Sequence, residues 1–256
     1  MVVEAVENRF FFYTFLYIYY ILHLHLTTLL IDDILLVTNQ KERIIMQYEK
    51  AIKHLKKISN DKDNYNEILK GIYHSGSQLI ATDGKRLAQV EVENGAFEEQ
   101  VLDVKNDKTL DGQFPKVEQL FRKEDDFDNE LHITHEQVIQ LKNILTCIKA
   151  LKLEAVEIYK EEGAWYIQPN IIQQSDINQE DLNLRFRLSQ STDKDKVEKK
   201  TIIDVNYFKH MVEFIKETKE DTKLIVNTNP YKPIQFENES YSNIAFKGLI
   251  CPIRPF

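Results

Sequence analysis

Leu79-Ile80-Ala81-Thr82-Asp83-Gly84-Lys85-Arg86-Leu87-Ala88 decides how the rest of the chain is read. Two short apolar runs flank Asp83-Gly84. Glycine tolerates the positive φ of a tight turn, and an aspartate side chain bonds its own backbone nearby. The stretch therefore predicts a β-hairpin, which alone would be an ordinary surface turn. The far end of the chain adds to it: Leu249-Ile250-Cys251-Pro252-Ile253-Arg254-Pro255-Phe256 is a second apolar run, broken by prolines and an arginine.

Working outward, residues 47–59 read as an amphipathic helix. Tyr48, Ala51, Ile52, Leu55 and Ile58 fall on one face and Lys50, Lys53 and Lys57 on the other. Strand-like runs follow at 67–74, 78–82, 86–93 and 100–105. Asp111-Gly112-Gln113-Phe114-Pro115 is a turn leading into residues 117–121. The charged run 122–129 reads as a linker. Beyond it one pattern occurs twice. A strand at 131–134, a helix at 135–152 and strands at 155–160, 164–169 and 182–190 form the first copy. A strand at 201–205, a helix at 206–218 and strands at 223–227, 232–237 and 242–251 form the second. The first helix should turn Val138, Leu141, Ile144, Leu145, Ile148 and Leu151 inward. A strand-helix-strand-strand-strand unit repeated without residue identity predicts an α+β domain with its helices together on one face of antiparallel sheets. The organisation expected is residues 1–45, then a reduced domain at 46–123, then a complete one at 130–256.

The 256 residues carry a net charge of -8 and only two cysteines, Cys147 and Cys251. An acidic total excludes nucleic-acid binding over the whole surface, because that attraction comes from Lys and Arg neutralising phosphates. It leaves room for a local basic strip. Two distant cysteines give neither a metal spacing nor a disulfide framework, so a reducing, cytoplasmic setting is expected. Residues 10–31 are almost wholly apolar and aromatic, long enough for a membrane span. Tyrosines and His23 and His25 at its centre argue against one, and a basic leader and cleavage site are lacking. Three readings stand: a membrane anchor, a buried or interface helix, or a segment outside the working protein. The last is favoured, since Lys41-Glu42 can be encoded as a bacterial ribosome-binding sequence just ahead of Met46.

The Thr82-Asp83-Gly84-Lys85-Arg86-Leu87 run, the C-terminal run and Asp111-Gly112-Gln113-Phe114-Pro115 together resemble the bacterial-type DNA polymerase sliding clamp, the beta subunit of DNA polymerase III. In that family a T-D-G-H-R-L hairpin and a C-terminal apolar-x-Pro-apolar-Arg segment form a cleft for partner peptides. The resemblance implies that Thr82, Gly84, Lys85, Arg86 and Leu87 form one wall, and Leu249, Cys251, Pro252, Ile253 and Arg254 the other. Lys85 stands where the family often has His, Cys251 where Met is common, and Pro255-Phe256 extends the end. The resemblance also implies a DNA-clamp fold of repeated βαβββ units, whose helices face duplex DNA through phosphates without reading bases. Lysines seven apart share a helix face, so Lys50 and Lys57, Lys142 and Lys149, and Lys209 and Lys216, with Lys53, are the candidate DNA contacts. Solvated helix faces would look the same. Between residues 93 and 111 the family's second helix has no room, so the first domain is reduced.

Among the enzyme signatures sought, G-x-x-x-x-G-K-[ST], H-E-x-x-H and a glycine-rich fingerprint are lacking. His132 and His135 read as surface histidines, and Trp165 as core. The sequence thus predicts a non-enzymatic processivity factor without cofactor or metal. Its partners would be duplex DNA, a DNA polymerase and a clamp loader, in a homo-oligomeric ring, with a membrane role unexpected. The alternative is a monomeric clamp-derived module that binds clamp partners without encircling DNA.

Overall fold

The computed structural model describes residues 35–59, 66–121, 129–171, 184–190, 200–227, 229–238 and 244–254. The chain divides into two compact units, Met1–Met46 and Gln47–Phe256. In the first, residues 35–46 are helical. The apolar run at 10–31 lies outside the described residues, and among those described no helix is long and apolar enough to cross a membrane.

The second unit opens with helix α1, residues 47–59. Ala51, Ile52, Leu55 and Ile58 are buried at helical spacing, as the sequence predicts. Strands β1 (Ile72–Gly76), β2 (Gln78–Thr82), β3 (Arg86–Val92), β4 (Phe97–Asp103) and the short β5 (Lys108–Thr109) follow. The strand expected from residue 67 begins later. Glu67–Lys70 is a 3-10 turn because the Asn66 side chain accepts a hydrogen bond from the Ile68 N–H and bends the chain.

The two copies of the repeat are where they were expected. The first is β6 (Asn129–Ile133), α2 (His135–Ala150), β7 (Ala155–Glu161), β8 (Ala164–Asn170) and β9 (Phe186–Gln190). The second is β10 (Thr201–Asp204), α3 (Val205–Thr218), β11 (Thr222–Val226), β12 (Ile234–Asn238) and β13 (Ile244–Ile250). Thr134 and Gln137 close a capping box at the start of α2. Asp204 caps α3 by accepting from the Asn206 and Tyr207 N–H groups. Val138, Leu141, Leu145 and Ile148 are buried. Ile144 is only half-buried, and Leu151, just past the end of α2, is exposed.

Each copy lends its leading strand to the other. β10 pairs with β7, giving the four-stranded sheet β10-β7-β8-β9, while β6 pairs with β11. The second sheet runs on, in the order β5-β4-β1-β2-β3-β13-β12-β11-β6, so it has nine strands. β4 lies on the outer side of β1, the place that β6 takes beside β11 and β10 takes beside β7. Residues 47–103 are therefore a third, incomplete copy of the plan: a helix and three strands, with the segment's own β4 in the outer place that the other two copies fill with a borrowed strand. This accounts for the missing length between residues 93 and 111. The two stretches expected as separate domains share one sheet, with β3 paired to β13 from Ile244↔Val92 to Ile250↔Arg86.

Candidate functional site

The β3–β13 pairing brings together the two distant segments singled out in the sequence. The turn between β2 and β3 is built from its own side chains. Asp83 Oδ1 accepts from the Lys85 and Arg86 N–H groups at 2.9 and 2.7 Å. Thr82 Oγ1 accepts from Gly84 N–H and donates to Arg86 O at 2.8 Å. Gly84 sits at φ 82, where a side chain would strain the backbone. Just outside the turn, the Cys251 N–H donates to Lys85 O at 2.8 Å. Two residues on, the Ile253 N–H donates to Ile202 O on β10, so the C-terminal run ties the hairpin to the edge of the four-stranded sheet.

Arg86 points inward. Its Nε donates to Asp83 Oδ2 at 2.7 Å and its Nη2 to Lys57 O, at the end of α1, at 2.8 Å. Nη1 lies 3.0 Å from His210 Nδ1 on α3, and the guanidinium stacks 4.5 Å from the Tyr207 ring. A buried guanidinium requires this many partners. Arginine carries no acceptor, so His210 is neutral and accepts through Nδ1. Burial, and then the Arg86 charge, push the His210 pKa down to about 3. His54 lies flat on Phe214 beside His210, and burial lowers its pKa too.

The rest of the expected cleft divides in two. Thr82, Leu87 and Leu249 are buried, and Leu87 pairs with Leu249 across the strands. Leu87 and Leu249 pack with Ile80, Val101, Phe114 and Val117 into one apolar cluster. Gly84, Lys85, Cys251 and Arg254 are exposed, with Pro252 and Ile253 half-buried. The exposed surface here is thus the tip of the turn and the C-terminal run, and not the Arg86 side chain.

A feature the sequence did not disclose lies beside this cluster. On the same face of the nine-stranded sheet, residues 109–116 arch over Tyr73, Ile80 and Val101 and leave an open groove of about 680 Å3. Gly112, at φ 137, makes the arch possible. In the sequence the Asp111–Pro115 motif read as a turn and as part of the clamp resemblance; the groove itself was not legible, because the sheet positions it covers come from β1, β2 and β4.

The candidate DNA-contacting lysines also separate. Lys53 pairs with Glu217 at 2.6 Å, Lys57 with Glu213 at 3.2 Å and Lys209 with Glu213 at 3.4 Å. These contacts form an ion-pair ladder along the α1–α3 seam. Burial raises both glutamate pKa values, but Lys57 and Lys209 hold that of Glu213, and Lys53 and His54 that of Glu217, below the usual carboxylate range. Lys50, Lys142, Lys149 and Lys216 have no such partner among the described residues. The spacing placed each pair on a face and left Glu213 legible four residues beyond Lys209, but it could not show that Glu213 and Glu217 reach Lys57 and Lys53 from a neighbouring helix. His132 is exposed on β6, 3.1 Å from Glu130, and no group of three His, Cys, Asp or Glu side chains able to hold a metal occurs among the described residues.

Solved structures with a similar arrangement of strands and helices include bacterial DNA polymerase sliding clamps. The beta chain of DNA polymerase III from Streptococcus pneumoniae superposes with a TM-score of 0.62 at 13% identity, over 83% of this chain and 64% of that one. The fold is that of a DNA sliding clamp. The sliding clamp of Pseudomonas aeruginosa gives 0.60 at 14% identity, over 84% and 65%. The Helicobacter pylori beta clamp bound to a DNA ligase peptide gives 0.58 at 14%, over 80% and 63%. This chain therefore spans a little under two thirds of the length of the clamps it matches. No protein-family model and no curated protein matches it.

Proposed function

We propose that the chain is a compact, non-enzymatic, clamp-like processivity factor. It holds duplex DNA without reading sequence and tethers a DNA polymerase, and in turn a clamp loader, through the turn at Thr82–Leu87 and the run at Leu249–Arg254. The observation that carries this reading is the side-by-side pairing of β3 and β13, which makes one surface of two segments far apart in sequence. A peptide dock of this kind needs an apolar backing, close backbone approach at Gly84 and a few polar groups, and no catalytic chemistry. Holding DNA topologically requires copies of the chain to close a ring, since one chain supplies less than the length of one clamp subunit. The test is retention on circular DNA. Protein that stays on a nicked circle after a salt wash and is lost when the circle is cut supports the reading; equal retention on linear and circular DNA overturns it.

The second reading is a monomeric module that binds clamp partners without holding DNA. The ion-pair ladder favours it, because Lys53, Lys57 and Lys209 are already neutralised by Glu213 and Glu217. It predicts peptide binding together with no retention on either DNA form.

A further inference from the structure

We propose that the groove under residues 109–118 is a second docking site, separate from the turn and C-terminal run. Its occupant would be an extended peptide segment with one bulky apolar side chain flanked by Lys or Arg. The floor is rigid, because Ile80, Val101 and Phe114 belong to the apolar cluster that also holds Leu87 and Leu249. Tyr73 forms one wall. Its ring stacks on Phe114 with centroids 5.2 Å apart and planes at 10°, and its hydroxyl donates to Glu99 at 2.9 Å. The rest of the lining comes from the arch itself. After Leu110, whose N–H bonds Val101 O at 2.8 Å, the arch leaves the strand ladder, so its peptide groups line the groove outside the sheet. A volume of about 680 Å3 lies within the ~300–1,000 Å3 typical of ligand sites.

The rim chooses the partner. Glu99, Asp111 and Glu118 line it against a single ammonium, Lys116. All are exposed, and Asp111 and Glu118 have no ion-pair or hydrogen-bond partner among the described residues. An apolar floor edged by uncompensated carboxylates attracts an apolar side chain with cationic neighbours and repels acidic segments. This site rests on neither DNA nor the polymerase, so its failure would leave the clamp reading standing.

The experiment is fluorescence anisotropy of the full chain with three labelled peptides: Lys-Lys-Phe-Lys-Lys, Glu-Glu-Phe-Glu-Glu and Lys-Lys-Ser-Lys-Lys. The first is expected to bind at least about tenfold more tightly than either other peptide: ion pairs plus relieved repulsion set the gap to the acidic peptide, and burial of the Phe ring sets the gap to the Ser peptide. In the double variant Asp111→Lys, Glu118→Lys the preference should invert, because neither side chain supports the fold. In Arg254→Glu, which alters the C-terminal run alone, binding of the cationic peptide should persist. Equal affinity for the cationic and acidic peptides, or for the Phe and Ser peptides, overturns the proposal. So does a double variant with unchanged preference, or loss of binding in Arg254→Glu. Concentration-dependent self-association that the double variant abolishes would make a second copy the occupant and would overturn it too.

Discussion

At the scale of single residues, Arg86 is the clearest case of a side chain whose position in a motif does not fix its job. It ties the turn to α1 through Lys57 O and to α3 through His210 while neutralising Asp83. Removing one partner of such a buried pair costs about 3–5 kcal/mol, because the other charge is left uncompensated. Arg86→Ala is therefore expected to lower the urea midpoint sharply, and Arg86→Lys to recover little, since an ammonium cannot reach three partners at once. Loss of peptide binding in Arg86→Ala without loss of stability would contradict this account. The histidines add a pH dependence. The folded-state pKa values of His54, His74 and His210 are lowered, first of all by burial. Below pH 6.5 the unfolded chain then binds more protons than the folded one, so stability is full above that pH and falls as the pH drops towards 3. Each such histidine withdraws about 1.4 kcal/mol per pH unit at most. Urea midpoints should thus fall from pH 7.5 to pH 5.5, and less steeply in His210→Gln; parallel slopes would refute the assignment. The hairpin and its turn chemistry were legible in Asp83-Gly84 because they are local. The burial of Arg86 was not, since its partners lie on two helices that sequence alone does not bring near.

At the scale of elements, apolar periodicity was enough to place α1, α2 and α3 and the order of strands after residue 129, because the buried faces repeat at the helical or strand period. It failed at residues 67–70, where a single Asn66 cap outweighs an apolar alternation, and it could not register that Glu213 and Glu217 rise beside Lys53 and Lys57. That neighbouring has a consequence for DNA. A lysine already paired with a carboxylate releases fewer counterions on meeting a phosphate, whereas a free one contributes about one unit of salt slope. If the helices face DNA, Lys149→Gln and Lys50→Gln should each flatten the log–log salt dependence of DNA retention by about one unit. Lys53→Gln and Lys57→Gln should change it less, while costing about 0.2–1 kcal/mol of stability as exposed ion pairs are lost. Equal effects on the slope from all four substitutions would show that the ladder opens when DNA arrives.

At the scale of the whole unit, the joining of β3 to β13 changes what the chain is mechanically. Residues 47–121 supply one half of the nine-stranded sheet and residues 129–250 the other, while α1 docks against α3 through His54 and Phe214. Neither half can leave without exposing the buried faces of Val90, Val92, Ile244 and Phe246 at the seam. Separate domains joined by a linker would unfold in two steps, with a variant in one leaving the other untouched. A shared sheet makes a single cooperative transition the expectation. The chain supplies its own probe. Its one tryptophan, Trp165, is buried on β8 in the four-stranded sheet, in the other half of the unit from the β2–β3 turn. Urea unfolding followed by Trp165 fluorescence and by far-ultraviolet circular dichroism should therefore coincide. A destabilising change at the turn, Asp83→Ala, should move both curves by the same amount. A fluorescence midpoint that stays put while the dichroism midpoint falls would mean that the two halves fold independently, and that the β3–β13 seam is a contact surface and not part of one core.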